Sequence, residues 1–136
     1  MIAKSPPVIA VLDEDDDDRL LMRDAFEQCR QDILIRSFEN PEPLLEYLNG
    51  DGVADLIVFG LHLPWENMFD TIASIKSNAA LRPIPLIVLI GLVPDTVITR
   101  FYDLGANTVI ERPSLWDDLV CVLQKTCDYW FGPLRM

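Results

Sequence analysis

Five short apolar runs punctuate this chain: Val8 to Leu12, Ile33 to Phe38, Leu56 to Phe59, Ile84 to Ile90 and Thr108 to Glu111. The first, third and fourth are nearly continuous in apolar residues, as strands buried on both faces are. Between the runs the period changes. Leu21, Met22, Ala25, Phe26 and Cys29 recur at helical spacing, and so do Ile72, Ile75 and Ala79, and Leu115, Leu119, Val122 and Leu123. Strand and helix therefore alternate five times. The economical fold is a doubly wound, three-layer α/β/α domain with a five-stranded parallel sheet, flavodoxin-like, in strand order 2-1-3-4-5.

The punctuation supports this division. The first helix is expected to start near Asp17 or Asp18, where acidic residues complement the helix dipole. Asn40-Pro41 reads as an N-cap followed by a first-turn proline, and Gly50 closes that helix. The third strand, Leu56 to Phe59, is expected to open into a loop at Gly60. A second loop begins at Leu63-Pro64, and a helix runs from roughly Phe69 to Asn78. Pro94-Asp95 opens the next helix, through Tyr102, and Gly105 takes the left-handed position that ends it. Ser114 caps the last helix, with Asp117 completing a capping box. No linker or repeat divides residues 1–136, so one domain is expected, with its core at about 8–127.

In an open sheet of this order, ligands bind beyond the carboxyl ends of the strands, at the switch point between strands one and three. Topology thus brings together Asp13 and Glu14, Gly60, Ile90-Gly91 and Arg112-Pro113. Composition narrows the partners. A net charge of −11 opposes nucleic acid and anionic membrane surfaces. Three cysteines, with no C-x-x-C pair, argue against a disulfide framework and for a reducing cytoplasm. Met1 to Pro7 lacks the apolar segment of a signal peptide, and no apolar run could span a bilayer.

The acidic pair after the first strand, the D-L-I-x-x-x-L-x-L-P stretch, the Pro85-to-Ile90 strand, Leu104-Gly105-Ala106-Asn107 and a basic residue before Pro113 resemble the CheY-like receiver domains of two-component response regulators. The similarity covers nearly the whole chain. It is greatest to the small stand-alone receivers associated with bacterial phytochromes, through Ile75-Lys76-Ser77, Leu81-Arg82-Pro83-Ile84-Pro85 and the aromatic Tyr129-Trp130-Phe131. The resemblance implies a signalling protein that takes a phosphoryl group from a histidine kinase. It places Asp13 and Glu14 at the Mg²⁺-binding pair, Gly60 at the phosphoacceptor, Ile90 at the hydroxyl residue, Arg112 at the lysine and Val109 at the switch aromatic.

Most of these positions have lost their chemistry. Glycine supplies neither a carboxylate nucleophile nor a cation ligand. Isoleucine donates no hydrogen bond, arginine is no equivalent of lysine, and valine has no ring to swing. The expectation is a non-enzymatic, phosphorylation-incompetent pseudo-receiver, with no required cofactor and at most weak residual Mg²⁺ at Asp13 and Glu14. It would act by contact with a sensor histidine kinase or another receiver. Tyr129, Trp130 and Phe131 are the candidate interface, tilted towards a homodimer by the resemblance.

Two rivals come from other classes. One is phosphorylation at another residue, such as Asp13, Asp15 or His62. The other is a ligand- or redox-sensing module using the pocket left beside Gly60. Asp15 to Asp18 are read as a solvated loop and helix cap rather than a cation site. His62, the sole histidine, is a candidate metal ligand or phosphoryl acceptor, but reads more simply as a solvent-facing loop residue. Arg112 is read as a fixed counter-ion to the acidic pair, in place of a metal.

Overall fold

The computed structural model describes residues 5–62 and 67–132. The expected loop from Leu63-Pro64 and most of the leader stretch from Met1 lie outside the described residues. Five strands, β1 (Val8–Leu12), β2 (Leu34–Phe38), β3 (Leu56–Leu61), β4 (Leu86–Ile90) and β5 (Thr108–Glu111), form one parallel sheet in the order β2-β1-β3-β4-β5. The helices are α1 (Asp16–Cys29), α2 (Pro41–Asn49), α3 (Asn67–Ser77), α4 (Asp95–Asp103) and α5 (Trp116–Phe131).

Side-chain alternation along each strand sorts the core into two layers. Ala10, Leu12, Ile57, Phe59, Val88 and Ile90 face Leu44 and Leu48 of α2, Ile72 and Ile75 of α3, and Phe101 of α4. Ile9, Val11, Leu56, Val58, Ile87 and Leu89 face Met22, Ala25 and Phe26 of α1, and Leu119, Leu123 and Cys127 of α5. All six β3 residues are buried, because both faces and both edges of this strand are covered.

Several boundaries differ from expectation for local reasons. β3 does not open at Gly60: Gly60 and Leu61 stay in register with Leu89 and Ile90, so the strand ends just before His62. The α1 cap is Asp15, whose carboxylate accepts the Asp18 N–H at 2.9 Å. The expected Ser114–Asp117 capping box does not form. α5 starts one residue later, with Leu115 at the N-cap, no side-chain cap bond, and Leu115 exposed rather than buried. Ala79 also falls outside its helix and is exposed. Gly105 does adopt the left-handed conformation, with φ +111°. A side chain there would also collide with the Lys76 stem, at 2.8 Å.

Candidate functional site

β1 and β3 are neighbours, yet the chain leaves them in opposite directions. Their carboxyl ends therefore frame an opening that no crossover fills. Asp13 follows β1, its N–H donating to Phe38 O at 3.1 Å. Its Oδ1 accepts the Asp15 N–H at 2.9 Å, which turns the chain into α1 and rotates Asp18 back towards the sheet. Arg19 clamps the turn by donating to Asp13 O at 2.8 Å. His62 arrives from β3, and Arg112 from β5, where its backbone N–H is held by Ile90 O at 2.8 Å.

Four side chains meet there. His62 Nε2 lies 3.0 Å from Asp13 Oδ1 and 3.0 Å from Asp18 Oδ2. Arg112 approaches both acids on their other oxygens, at 3.5 Å from Asp13 Oδ2 and 3.3 Å from Asp18 Oδ1. The Asp13 side chain is wholly buried, while those of Asp18 and His62 are 26% and 31% exposed. Asp13 Oδ2 and Arg112 Nη1 are buried without a hydrogen-bond partner. Their separation is short enough for charge attraction and too long for a good hydrogen bond. Burial raises the Asp13 pKa above its ordinary value, outweighing the lowering by the Asp15 N–H, His62 and Arg112. Asp15 moves down instead, chiefly because the Asp18 N–H bonds its charged form.

The place where a side chain at Gly60 would begin is already occupied. A Cβ there would meet Asp13 Oδ2, Asp13 Cγ and the Met22 methyl, all at or within 3.0 Å. The space directly beside Gly60 is taken up by the ends of the Asp13 and Met22 side chains. Ile90 is buried in the α2–α4 layer of the core and offers that space no polar group. Val109 is half-buried beside a cleft of about 200 Å³ between β4, β5 and α4. Its N–H donates to the Tyr102 hydroxyl at 3.0 Å.

The sequence reading missed two members of this group. Asp18 is not simply a solvated acid, because the Asp15 cap sets the helix phase that turns it inwards. His62 is not a free loop residue but a bridge between two carboxylates. Glu14 is exposed and lies outside the group, and Arg112 meets Asp18 where Glu14 was expected. The Mg²⁺ site implied by the resemblance does not fit these residues. One of its acids points to solvent, another is a glycine, and Asp13 fills the gap.

The disposition of strands, helices and strand ends is shared with solved proteins. The phosphorylated cyanobacterial phytochrome response regulator RcpA superposes with a TM-score of 0.82, covering 95% of this chain and 96% of that one, at 21% identity. A response regulator in red-light signalling of R. palustris gives 0.83, with 95% and 96% covered, at 19% identity. The Mn²⁺-bound form of Rcp1 gives 0.80, with 96% and 99% covered, at 20% identity. The fold is that of a response-regulator receiver domain.

In sequence, this receiver-fold chain is 24% identical over 135 residues to FilR2 of Methanothrix harundinacea, a probable methanogenesis regulatory protein, covering 96% of the chain and 87% of FilR2. No protein-family profile matches it. No helix among the described residues is long and apolar enough to cross a membrane.

Proposed function

We propose that this protein is a single-domain pseudo-receiver of two-component phosphorelay signalling. It has no enzymatic role, and it acts in one fixed conformation by docking on a sensor histidine kinase or another receiver. The observation that carries this reading is the overlap of the Asp13 carboxylate with the place where a Gly60 side chain would start. The site thus lacks a nucleophile at the Gly60 position, and a side chain introduced there would have to displace Asp13 and Met22. Asp13 is itself too enclosed to attack a phosphoryl donor in line, since its side chain has no exposed surface. The tie between the Tyr102 hydroxyl and Val109 supports a static α4–β5 junction in place of a moving ring.

The interaction surface in this reading is the groove of about 380 Å³ between β5 and α5, lined by Ile110, Val122, Tyr129 and Trp130 among others. Tyr129 is 77% exposed, whereas Trp130 and Phe131 are partly buried against the α1–α5 layer. A second copy of this chain is one occupant of that groove. Nucleic acid and anionic membranes are disfavoured by the charge of −11. With Glu14 turned to solvent and Asp13 enclosed, the two do not make a Mg²⁺ site, and no cofactor is required in this reading. A cytoplasmic location suits the free thiols of Cys29, Cys121 and Cys127.

The test is incubation with acetyl phosphate and Mg²⁺ followed by intact mass measurement. The expected result is no adduct on the unmodified chain, and little or none on Gly60→Asp, in which Ile90 and Arg112 are retained. A stoichiometric phosphoryl adduct on the unmodified chain would reject the proposal. Robust phosphorylation of Gly60→Asp alone would show that Ile90 and Arg112 support the chemistry after all.

A further inference from the structure

We propose that Asp13, Asp18 and His62 form a binding site for a divalent transition metal of the zinc class, selective against Mg²⁺. Their donor atoms come from three places, the turn after β1, the first turn of α1 and the end of β3, and all lie within 4.8 Å of one another. His62 Nε2 stands 3.0 Å from an oxygen of each acid. Ligands about 2.1 Å from a zinc ion in tetrahedral array are themselves about 3.4 Å apart, a little wider than the two spacings here. One small ion can therefore reach all three once the two more exposed side chains, Asp18 and His62, adjust around it.

The donor set selects the ion. Imidazole with carboxylates suits zinc, cobalt and nickel, whereas Mg²⁺ demands oxygen ligands and retains most of its water. The site shares Asp13 with the one implied by the receiver resemblance but differs in its other ligands, because Asp18 and the His62 imidazole take part and neither Glu14 nor Gly60 does.

The two oxygens of Asp13 have different surroundings. Asp13 is enclosed on all sides, yet its Oδ2 has no hydrogen-bond donor. Arg112 Nη1, at 3.5 Å, is equally unpartnered. Oδ2 faces Gly60 and keeps Arg112 as its counter-charge, while the oxygen turned to His62, and so to the metal, is Oδ1. The metal-free arrangement is also short of protons. A single Nε2–H stands between two carboxylate oxygens and can point well at only one of them. With a metal bound, Nε2 turns its lone pair to the ion and the proton resides on Nδ1. The partial exposure of Asp18 and His62 leaves an approach from solvent and room for water in the remaining positions.

The inference stands whether or not the chain accepts a phosphoryl group. The test is calorimetric titration of the full chain with ZnCl₂ and with MgCl₂, in a Cys121→Ser background that removes the exposed thiol. Zn²⁺ is expected to bind one-to-one and at least about tenfold more tightly than Mg²⁺. His62→Gln, which removes the sole histidine, should weaken Zn²⁺ by about 100-fold or more and leave Mg²⁺ unchanged. Asp18→Asn should weaken Zn²⁺ as well, and circular dichroism establishes that both variants are folded. Absence of saturable Zn²⁺ binding, equal affinity for the two ions, or Zn²⁺ binding indifferent to His62→Gln would each overturn the proposal.

Discussion

Asp13 holds a charge in a place that water does not reach, with two cationic or polar neighbours that only partly compensate for the lost hydration. Because burial raises its pKa in the folded protein, ionisation works against folding. The contribution is fully favourable below the ordinary carboxylate pKa. It is lost as pH rises through the higher folded value. Asp13→Asn keeps the shape and an oxygen acceptor but does not titrate. In chelator-treated protein its stability relative to the unmodified chain is therefore expected to be greater at pH 7 than in acid, on top of a pH-independent cost for the partner it takes from Arg112. The pH-dependent part should shrink as the pH is lowered towards the ordinary carboxylate range. Urea denaturation of both proteins at two pH values checks this, and a difference that does not change with pH would remove ionisation as the cause.

At this scale the sequence was readable where topology alone decides the outcome. Asp13 and Arg112 follow strands whose ends must converge, so their meeting was foreseeable. Asp18 was not, because four successive aspartates look alike until one of them, Asp15, caps the helix and fixes its phase. His62 was obscured by the length of β3: with the strand ending at Leu61 rather than before Gly60, the imidazole projects over the sheet end.

Among the elements, the ends of α1 and α5 are joined by one side chain. Arg30, 5% exposed, makes a two-pronged pair with Asp32, its Nε and Nη2 each 2.8 Å from a carboxylate oxygen. Its Nη1 donates to Gly132 O, and the guanidinium lies 5.8 Å from the centre of the Phe131 ring. The pair lowers the Asp32 pKa, so its stabilisation is present above the ordinary carboxylate range and is lost in acid. Arg30→Ala is expected to cost about 1–2 kcal/mol, since it takes the donor from a partly buried carbonyl and from a carboxylate that water can partly re-solvate. Arg30→Lys should recover only part of this, because an ammonium cannot reproduce the fork. Thermal melts of the three proteins measure both effects, and a melt of Arg30→Ala matching the unmodified chain would contradict them.

Elements with strong periodicity were legible to the residue, as β1 and β5 show. The start of α5 was not. Ser114 and Asp117 have the spacing of a capping box, but the chain enters the helix one residue later and the box is left unmade. Spacing registers which residues are available for a cap, whereas the approach of the preceding strand decides whether they are used.

For the molecule as a whole, the alternation of runs was enough to define the sheet order, because right-handed crossovers and two covered faces leave few alternatives. Assembly is a separate matter. The proposed homodimer would bring together two copies that each carry −11. Its association should therefore strengthen as salt screens the repulsion, and depend on concentration in light scattering after gel filtration. Tyr129→Ser, at a site 77% exposed, should weaken association about tenfold or more without lowering the melting temperature of the monomer. A monomer at every concentration and ionic strength would rule the dimer out.

The tie between Tyr102 and β5 bears on how such a contact is made. At an outer margin of the sheet, the Val109 N–H would otherwise invite a foreign strand to zip alongside. With a phenol already seated on that amide, lengthening of the sheet across two molecules is blocked at its midpoint. Whatever settles on this flank must be recognised by side-chain shape, and the margin is guarded against fibre-like growth by the same ring.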